Sequence, residues 1–300
     1  MKPTRVNNLF DDAFLRKLEQ LHLLAKRLAA HGSAGRRRAR RLGDGLEFAD
    51  HRDYSAGDDL RFVDWSYYAR MEKLLLRLFH EHSEGDVCIL LDCSGSMAAS
   101  GQRDHATFTY ALRVAAALAY VAMGGLERVT IQPFAEDLGQ PLRTGRNRGQ
   151  ILTVLDYLAG LAPAGQTQLA RSAERLARQG GPRGTVILIS DLLECSDDLA
   201  QACMHLQTGN DLVVLQVFGP TDARPVIEGQ MVLQQAETGQ ELALDVTPEL
   251  LASYAQQWEA FRQSCERTVV GRGGTYLAAS TETPFEDLVL RTLRRAGVIE

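Results

Sequence analysis

Four short runs constrain this chain more than any other feature: DVCILL at 86–91, VTIQPF at 129–134, TVILIS at 185–190 and DLVVLQVF at 211–218. The first, third and fourth are near-continuous in Val, Ile and Leu and lack the polar alternation of a strand with one wet face, so they read as strands buried on both sides, and the second reads as a further strand beside them. Helical spacing follows at 104–124, 149–161, 168–179 and 199–206. Buried strands joined through helices predict an α/β fold with a doubly wound, mainly parallel sheet. Further on, Thr247 and Pro248 start a helix with the apolar face Leu251, Tyr254, Trp258, Phe261 and Cys265. A last strand is expected at 275–278, with Thr283, Pro284 and Glu286 as a capping box for a terminal helix. MVLQQAETGQELALDV predicts a hairpin over 231–245, turning at Glu237 to Gln240, as an antiparallel ornament on the sheet.

Residues 1–84 read as an extension before a main domain at 85–300. In 11–30 the residues Phe14, Leu18, Leu21, Leu24 and Leu28 recur at three- and four-residue spacing, with Asp11 or Asp12 as cap. Residues 1–43 hold eleven Lys/Arg against three Asp/Glu, and the excess peaks at Arg36, Arg37, Arg38, Arg40 and Arg41. No aromatic is interleaved to stack on bases, so a solvated linker is favoured over a nucleic-acid contact. The alternations Leu46/Phe48 and Leu60/Phe62 predict brief strands around a turn at Ser55 to Asp59.

With 45% hydrophobic and 24% charged residues, the chain has the composition of a globular protein. Its longest charge-free apolar stretch, 114–126, falls short of the roughly 20 residues of a bilayer span and reads as a buried helix. The first residues show no apolar run of signal-peptide length. Cys88, Cys93, Cys195, Cys203 and Cys265 form no Cys-x-x-Cys pair. Buried thiols in a reducing cytoplasm are the expectation.

Ligands of an open doubly wound sheet bind beyond the carboxyl ends of its strands, where strand order reverses. The first apolar strand runs into DCSGSM, placing Asp92, Ser94 and Ser96 in one loop; TVILIS runs into Asp191; and Thr167 lies in a loop between them. Two carboxylates and three hydroxyls are hard oxygen donors, suited to Mg²⁺ or Mn²⁺ and poorly to zinc. Alternation turns Cys93 away from the hydroxyls. A cation neutralised by so few charges keeps a coordination position for water or for a carboxylate of another molecule. The alternative is that Asp92 and Asp191 merely cap the helices that follow them.

Asp92-Cys93-Ser94-Gly95-Ser96, Thr167 and Asp191 resemble the metal-ion-dependent adhesion site of the von Willebrand factor A fold, which reads Asp-x-Ser-x-Ser, then Thr, then Asp. One departure is that Asp191 is followed by Leu192, Leu193 and Glu194, where many A domains have Gly. Upstream, Arg52, Tyr54, Gly57, Asp58, Asp59 and Arg61, followed by Asp64, Trp65 and Arg70, resemble the hallmark of a bacterial family of uncharacterised A-type proteins commonly encoded beside MoxR-type AAA+ ATPases. The resemblance covers residues 40–300. It implies a non-enzymatic, metal-dependent adaptor or co-chaperone of such an ATPase, serving assembly or maturation of other proteins and engaging a client through an acidic residue. From the residues themselves, the 52–70 stretch reads as an ion-paired clasp onto the sheet, which is compatible with a partner surface.

No Gly-x-x-x-x-Gly-Lys-Ser/Thr loop and no Gly-x-Ser-x-Gly elbow is present. The enzymatic alternative is a Mg²⁺-dependent phosphohydrolase with Asp92 as nucleophile, but Ser94 stands where such enzymes usually keep an acidic general acid.

Overall fold

The computed structural model describes residues 9–31, 42–43, 47–55, 60–80, 86–99, 106–125, 127–193 and 198–295. Strands β1 (Leu42–Gly43), β2 (Glu47–Asp53) and β3 (Leu75–His80) form a small antiparallel sheet of order β1-β3-β2. The apolar runs then become β4 (Asp86–Asp92), β5 (Arg128–Phe134), β7 (Gly184–Ser190) and β8 (Asp211–Phe218), with the two-residue β6 (Leu142–Arg143) following β5. The β9 (Gly229–Gln234) and β10 (Glu241–Val246) hairpin precedes β11 (Thr275–Ser280). The main sheet has the order β11-β8-β7-β4-β5-β6, parallel except for the β5–β6 pair. The chain leaves β4 for β5 on one side, then crosses back to β7 on the other. Strand order therefore reverses at the β4–β7 pair, as the doubly wound reading requires.

Both faces of this sheet are covered, which explains why its strands are apolar at successive positions. Val87, Ile89 and Leu91 of β4 join one core with the helices Asp12–His31, Ala106–Gly124, Ile151–Ala159 and Phe285–Arg295. Cys88 and Leu90 join a second core with Leu169–Arg178, Leu199–Leu206 and Pro248–Val270. The Ala106–Gly124 helix is apolar around its circumference and Ala-rich, which favours helix and lets neighbours approach closely. Its Thr107–Gly124 window is long and apolar enough to cross a bilayer, with mean hydropathy 1.3, yet 78% of it is buried inside the fold.

Several expectations are corrected. The N-terminal helix buries Phe14, Leu18, Leu21, His22 and Ala25, whereas Leu24 is exposed. Its apolar stripe drifts toward His22 and Ala25, and Asp11 caps it through Phe14 N at 2.7 Å. Leu60–Phe62 is a 3-10 turn and not a strand; β2 pairs with β3 instead. The expected hairpin is present as the antiparallel β9–β10 pair, which forms a two-stranded sheet separate from the main one. Tyr254 lies on the exposed side of the Pro248–Val270 helix and donates its hydroxyl to Asp222 O, while Trp258, Cys265 and Val269 are buried. Glu286 closes no capping box: its Oε1 lies 2.7 Å from Lys17 Nζ, tying the last helix to the first.

The seat of the N-terminal helix is tight at Gly124, where a Cβ would stand 2.2 Å from His22 Cε1. Ala ordinarily gains about 1 kcal/mol over Gly inside a helix. Here Gly124→Ala is expected to destabilise the protein by about 1–3 kcal/mol through overpacking. Adding His22→Ala should recover most of that loss. Denaturant unfolding of the single and double variants measures both, and a neutral or stabilising Gly124→Ala would contradict this packing.

Candidate functional site

Because β4 and β7 are parallel neighbours with Leu91 opposite Ile189, their carboxyl ends fall at one edge. Asp92 closes β4 and Asp191 follows β7, and both are buried, at 0% and 2% exposure. The Asp92 carboxylate accepts from Ser94 N at 2.9 Å through Oδ1 and from Ser190 Oγ at 2.6 Å through Oδ2. Asp191 Oδ1 accepts from Leu193 N at 3.0 Å, and Ser96 also bonds to this carboxylate. Ser94 and Ser96 hydroxyls lie 3.0 Å apart, with Ser96 opening the short helix Ser96–Ala99.

The third piece arrives on the loop after the Ile151–Ala159 helix. Ala164 N donates to Cys93 O at 2.8 Å and Gly95 N to Gly165 O at 2.9 Å, which fasten that loop to the β4 loop. Gly165 has φ +81, a left-handed conformation that glycine takes without steric cost. Thr167, three residues after the first of these contacts, is thereby held beside the site and is buried. The structure thus places Asp92, Ser94 and Ser96 at the end of β4, Asp191 just beyond the end of the neighbouring β7, and Thr167 on the loop fastened to the β4 loop. Cys93 turns the other way, into the core below, where burial pushes its thiol up to about 12.

Two residues escaped the sequence reading. Ser190 ends β7, is fully buried, donates to Asp92 and accepts from Leu192 N at 3.0 Å. A hydroxyl closing an apolar strand beside Asp191 was the available signal. Glu237, at the turn of the β9–β10 hairpin, accepts from Thr167 N at 3.1 Å and Thr167 Oγ1 at 2.8 Å. Seventy residues separate this pair, and nothing local signalled it.

Burial pushes both carboxyl groups above the usual carboxylate range. The Asp92 charge raises Asp191 further, while hydrogen bonds from Ser190 and Ser94 hold Asp92 back. Among the described residues neither Asp has an ion pair with Lys, Arg or His. Two buried carboxyl groups whose ionised forms are disfavoured by burial are the arrangement a divalent cation relieves. Among the described residues no three His, Cys, Asp or Glu side chains cluster in metal-holding geometry. An ion here would take two carboxylates and complete its shell from the hydroxyls and water. That donor set fits a hard cation such as Mg²⁺ or Mn²⁺. Beside the site lies a largely apolar groove of about 290 Å³, lined by Phe134, Ala135, Tyr157 and Leu161 among others.

Of the upstream motif, Gly57, Asp58, Asp59 and the basic run at 36–41 lie outside the described residues, as do Glu194 and Cys195. Arg52 lies on β2 and Arg61 in the Leu60–Phe62 turn, and Tyr54 N donates to Leu74 O at 3.1 Å. Asp64 caps the Trp65–Met71 helix through Tyr67 N at 2.9 Å and pairs with His51 Nε2 at 3.0 Å. Arg70 Nε donates to Ser66 O in the same helix. Trp65, Tyr68 and Met71 are exposed. These contacts are local to the small antiparallel unit, where Tyr54 and Tyr67 are half-buried and Trp65 and Tyr68 face solvent.

The chain belongs to the family described as protein of unknown function DUF58, whose profile matches residues 50–264. An uncharacterized protein of Mycobacterium tuberculosis is 29% identical over 268 residues, covering 86% of this chain and 82% of that relative. One from Mycobacterium avium is 26% identical over 162 residues, 53% of this chain and 95% of its own length. Similar solved structures include the conserved hypothetical protein BatB of Bacteroides thetaiotaomicron, at 16% identity and TM-score 0.42, with 71% of this chain and 98% of that one covered. Another is a von Willebrand factor type A protein of Catenulispora acidiphila, at 18% identity and TM-score 0.41, with coverage of 73% and 44%.

The departure after Asp191 has a structural counterpart. Leu192 holds φ +62, the left-handed region that a Gly takes freely, while its side chain is fully buried. Leu192→Ala loses core packing and keeps the strain, at about 2–5 kcal/mol. Leu192→Gly removes the same packing but relieves the strain, so it should be less destabilising than Leu192→Ala by about 1 kcal/mol. Urea denaturation of the two variants decides the order; Ala above Gly would contradict the backbone geometry at this turn.

Proposed function

We propose that the chain is a protein-binding module whose strand-end site holds Mg²⁺ or Mn²⁺ through Asp92, Ser94, Ser96, Thr167 and Asp191 and presents it to an acidic side chain of a partner. The observation that carries this reading is the pair of buried carboxyl groups, Asp92 and Asp191, with no ion pair to a cationic side chain among the described residues. When bound, the cation supplies the counter-charge and a position for a carboxylate from outside. Asp92 and Asp191 neutralise it, Ser94 and Ser96 orient, and Ser190 fixes the Asp92 carboxylate. The resemblance to the A-type family supports a MoxR-type AAA+ ATPase as partner, with the chain acting as its adaptor or co-chaperone in the assembly of other proteins. Exposed Trp65 and Tyr68 on the family motif offer a second contact surface. The four described cysteines are buried free thiols, in keeping with a reducing cytoplasm.

The phosphohydrolase alternative draws less support. Ser94 stands where such enzymes usually keep an acidic general acid, so no second carboxyl group is placed two residues after Asp92 to protonate a leaving group. A chromogenic phosphomonoester with Mg²⁺ should show no turnover that Asp92→Asn removes.

The cation site itself is tested with Asp191→Asn, which keeps the acceptor for Leu193 N and removes one buried charge. In EDTA at neutral pH the variant should be more stable than the native protein by about 1 kcal/mol or more in denaturant unfolding, because the Asp191 carboxyl, raised by burial to about 8, must otherwise take up a proton on folding. Mg²⁺ should raise the native melting temperature and leave the variant unchanged. Asp191→Asn should also weaken association with a MoxR-type ATPase at least tenfold, while the exposed Arg171→Ala stays within about twofold. Equal Mg²⁺ stabilisation of both proteins would overturn the reading.

A further inference from the structure

The turn of the β9–β10 hairpin reaches the site from outside the main sheet. Glu237 spends both carboxylate oxygens on Thr167, taking its backbone N–H and its hydroxyl. The same turn rests on the β4 loop: a Cβ on Gly95 would stand 3.4 Å from Ala236 O and 3.8 Å from Glu237 Cγ. The hairpin thus covers the loop that carries Ser94 and Ser96 as well as the Thr167 side of the crevice.

The strands of this hairpin are mostly exposed. Along β9 and β10 only Val246, at the base, is buried, and Val232, Leu233 and Leu242 are 60%, 43% and 62% exposed. It pairs with no strand of the main sheet. A lone two-stranded hairpin is marginally stable in water, so its tip contact decides where it sits. That contact brings a third carboxylate near enough for its charge to act on Asp92, with Glu237 itself held by the two Thr167 donors. An acidic side chain reaching this crevice from another protein would meet the same hydroxyl and the same backbone N–H.

We propose that the β9–β10 hairpin is an intramolecular plug, with Glu237 standing in for the acidic side chain of a partner, so that the partner binds only by displacing the hairpin. The proposal rests on the reading of the crevice as a cation-dependent docking site. Because the competing carboxylate is tethered, it acts at an effective concentration in the millimolar range and lowers the apparent affinity of any external carboxylate. Specificity then resides in whatever else the partner contacts, since a bare acidic group cannot outcompete the tethered one.

The test uses the full chain with Mn²⁺ as probe, comparing wild type, Glu237→Ala and the control Glu241→Ala, which removes an equal charge from an exposed position on the same hairpin. Thermal melting checks that all three are folded. Titration calorimetry measures Mn²⁺ binding, water-proton relaxation reports how far solvent reaches the bound ion, and hydrogen exchange follows residues 229–246. We expect all three proteins to bind one Mn²⁺. In Glu237→Ala the bound ion should relax water faster, and hairpin amides should exchange about tenfold faster, as for an element released to local opening. Glu241→Ala should match wild type in both. Equal Mn²⁺ binding with unchanged relaxation or unchanged hairpin exchange in Glu237→Ala overturns the plug while leaving the cation site standing. The same holds if Glu241→Ala reproduces the effect. Failure of all three proteins to bind Mn²⁺ overturns the cation site, and the plug with it.

Discussion

The parallel pairing of β4 with β7 is the constraint on which the rest of the structure depends. In register from Asp86 opposite Gly184 to Leu91 opposite Ile189, it ends both strands at one edge and sets Asp92 and Asp191 side by side. The hydrophobic cores on the two faces exist to hold that pairing, and they bury the two carboxylates as a consequence. A buried carboxylate without a partner costs several kcal/mol, so the fold accepts a local penalty at its own switch point. Serine hydroxyls and backbone N–H groups offset part of it, and a cation would offset the remainder.

Everything else around the crevice is fastened to that pair. The Thr167 loop is stitched to the β4 loop by two backbone hydrogen bonds, and Ser190 binds Asp92 while holding the Leu192 turn. Gln216 on β8 donates to Asp191 O and in turn receives the Tyr276 hydroxyl from β11, so a polar relay crosses three neighbouring strands beneath the site. Such buried networks rigidify when every member is satisfied. The sheet edge is therefore the networked half of the site, and the hairpin turn meets it through Glu237 and Thr167.

The upstream family motif behaves differently. Asp64 is committed to capping a helix and pairing with His51, which explains an acidic residue there without reference to a ligand. Trp65, Tyr68 and Met71 have no such local explanation for being exposed together on one short helix, and large apolar side chains gathered at a surface are what partner contacts are made from. The family profile spans both this helix and the crevice, from residue 50 to residue 264.

Apolar runs and helical spacing by themselves located the longer strands of the main sheet and most of its helices to within a residue or two, because burial on both faces leaves few polar residues in a strand. The strand ends were legible for the same reason: an Asp directly after an apolar run can only sit at the edge. Where a segment is neither fully buried nor cleanly amphipathic, local pattern misled. Leu60 and Phe62 alternate like a strand yet form a 3-10 turn, and Leu24 fits the helical spacing yet faces solvent. Only the tertiary structure decided that the hairpin stands apart from the main sheet and that its Glu237 meets Thr167. Both follow from how a loosely held element folds back across seventy residues of chain, a distance over which no local propensity carries information.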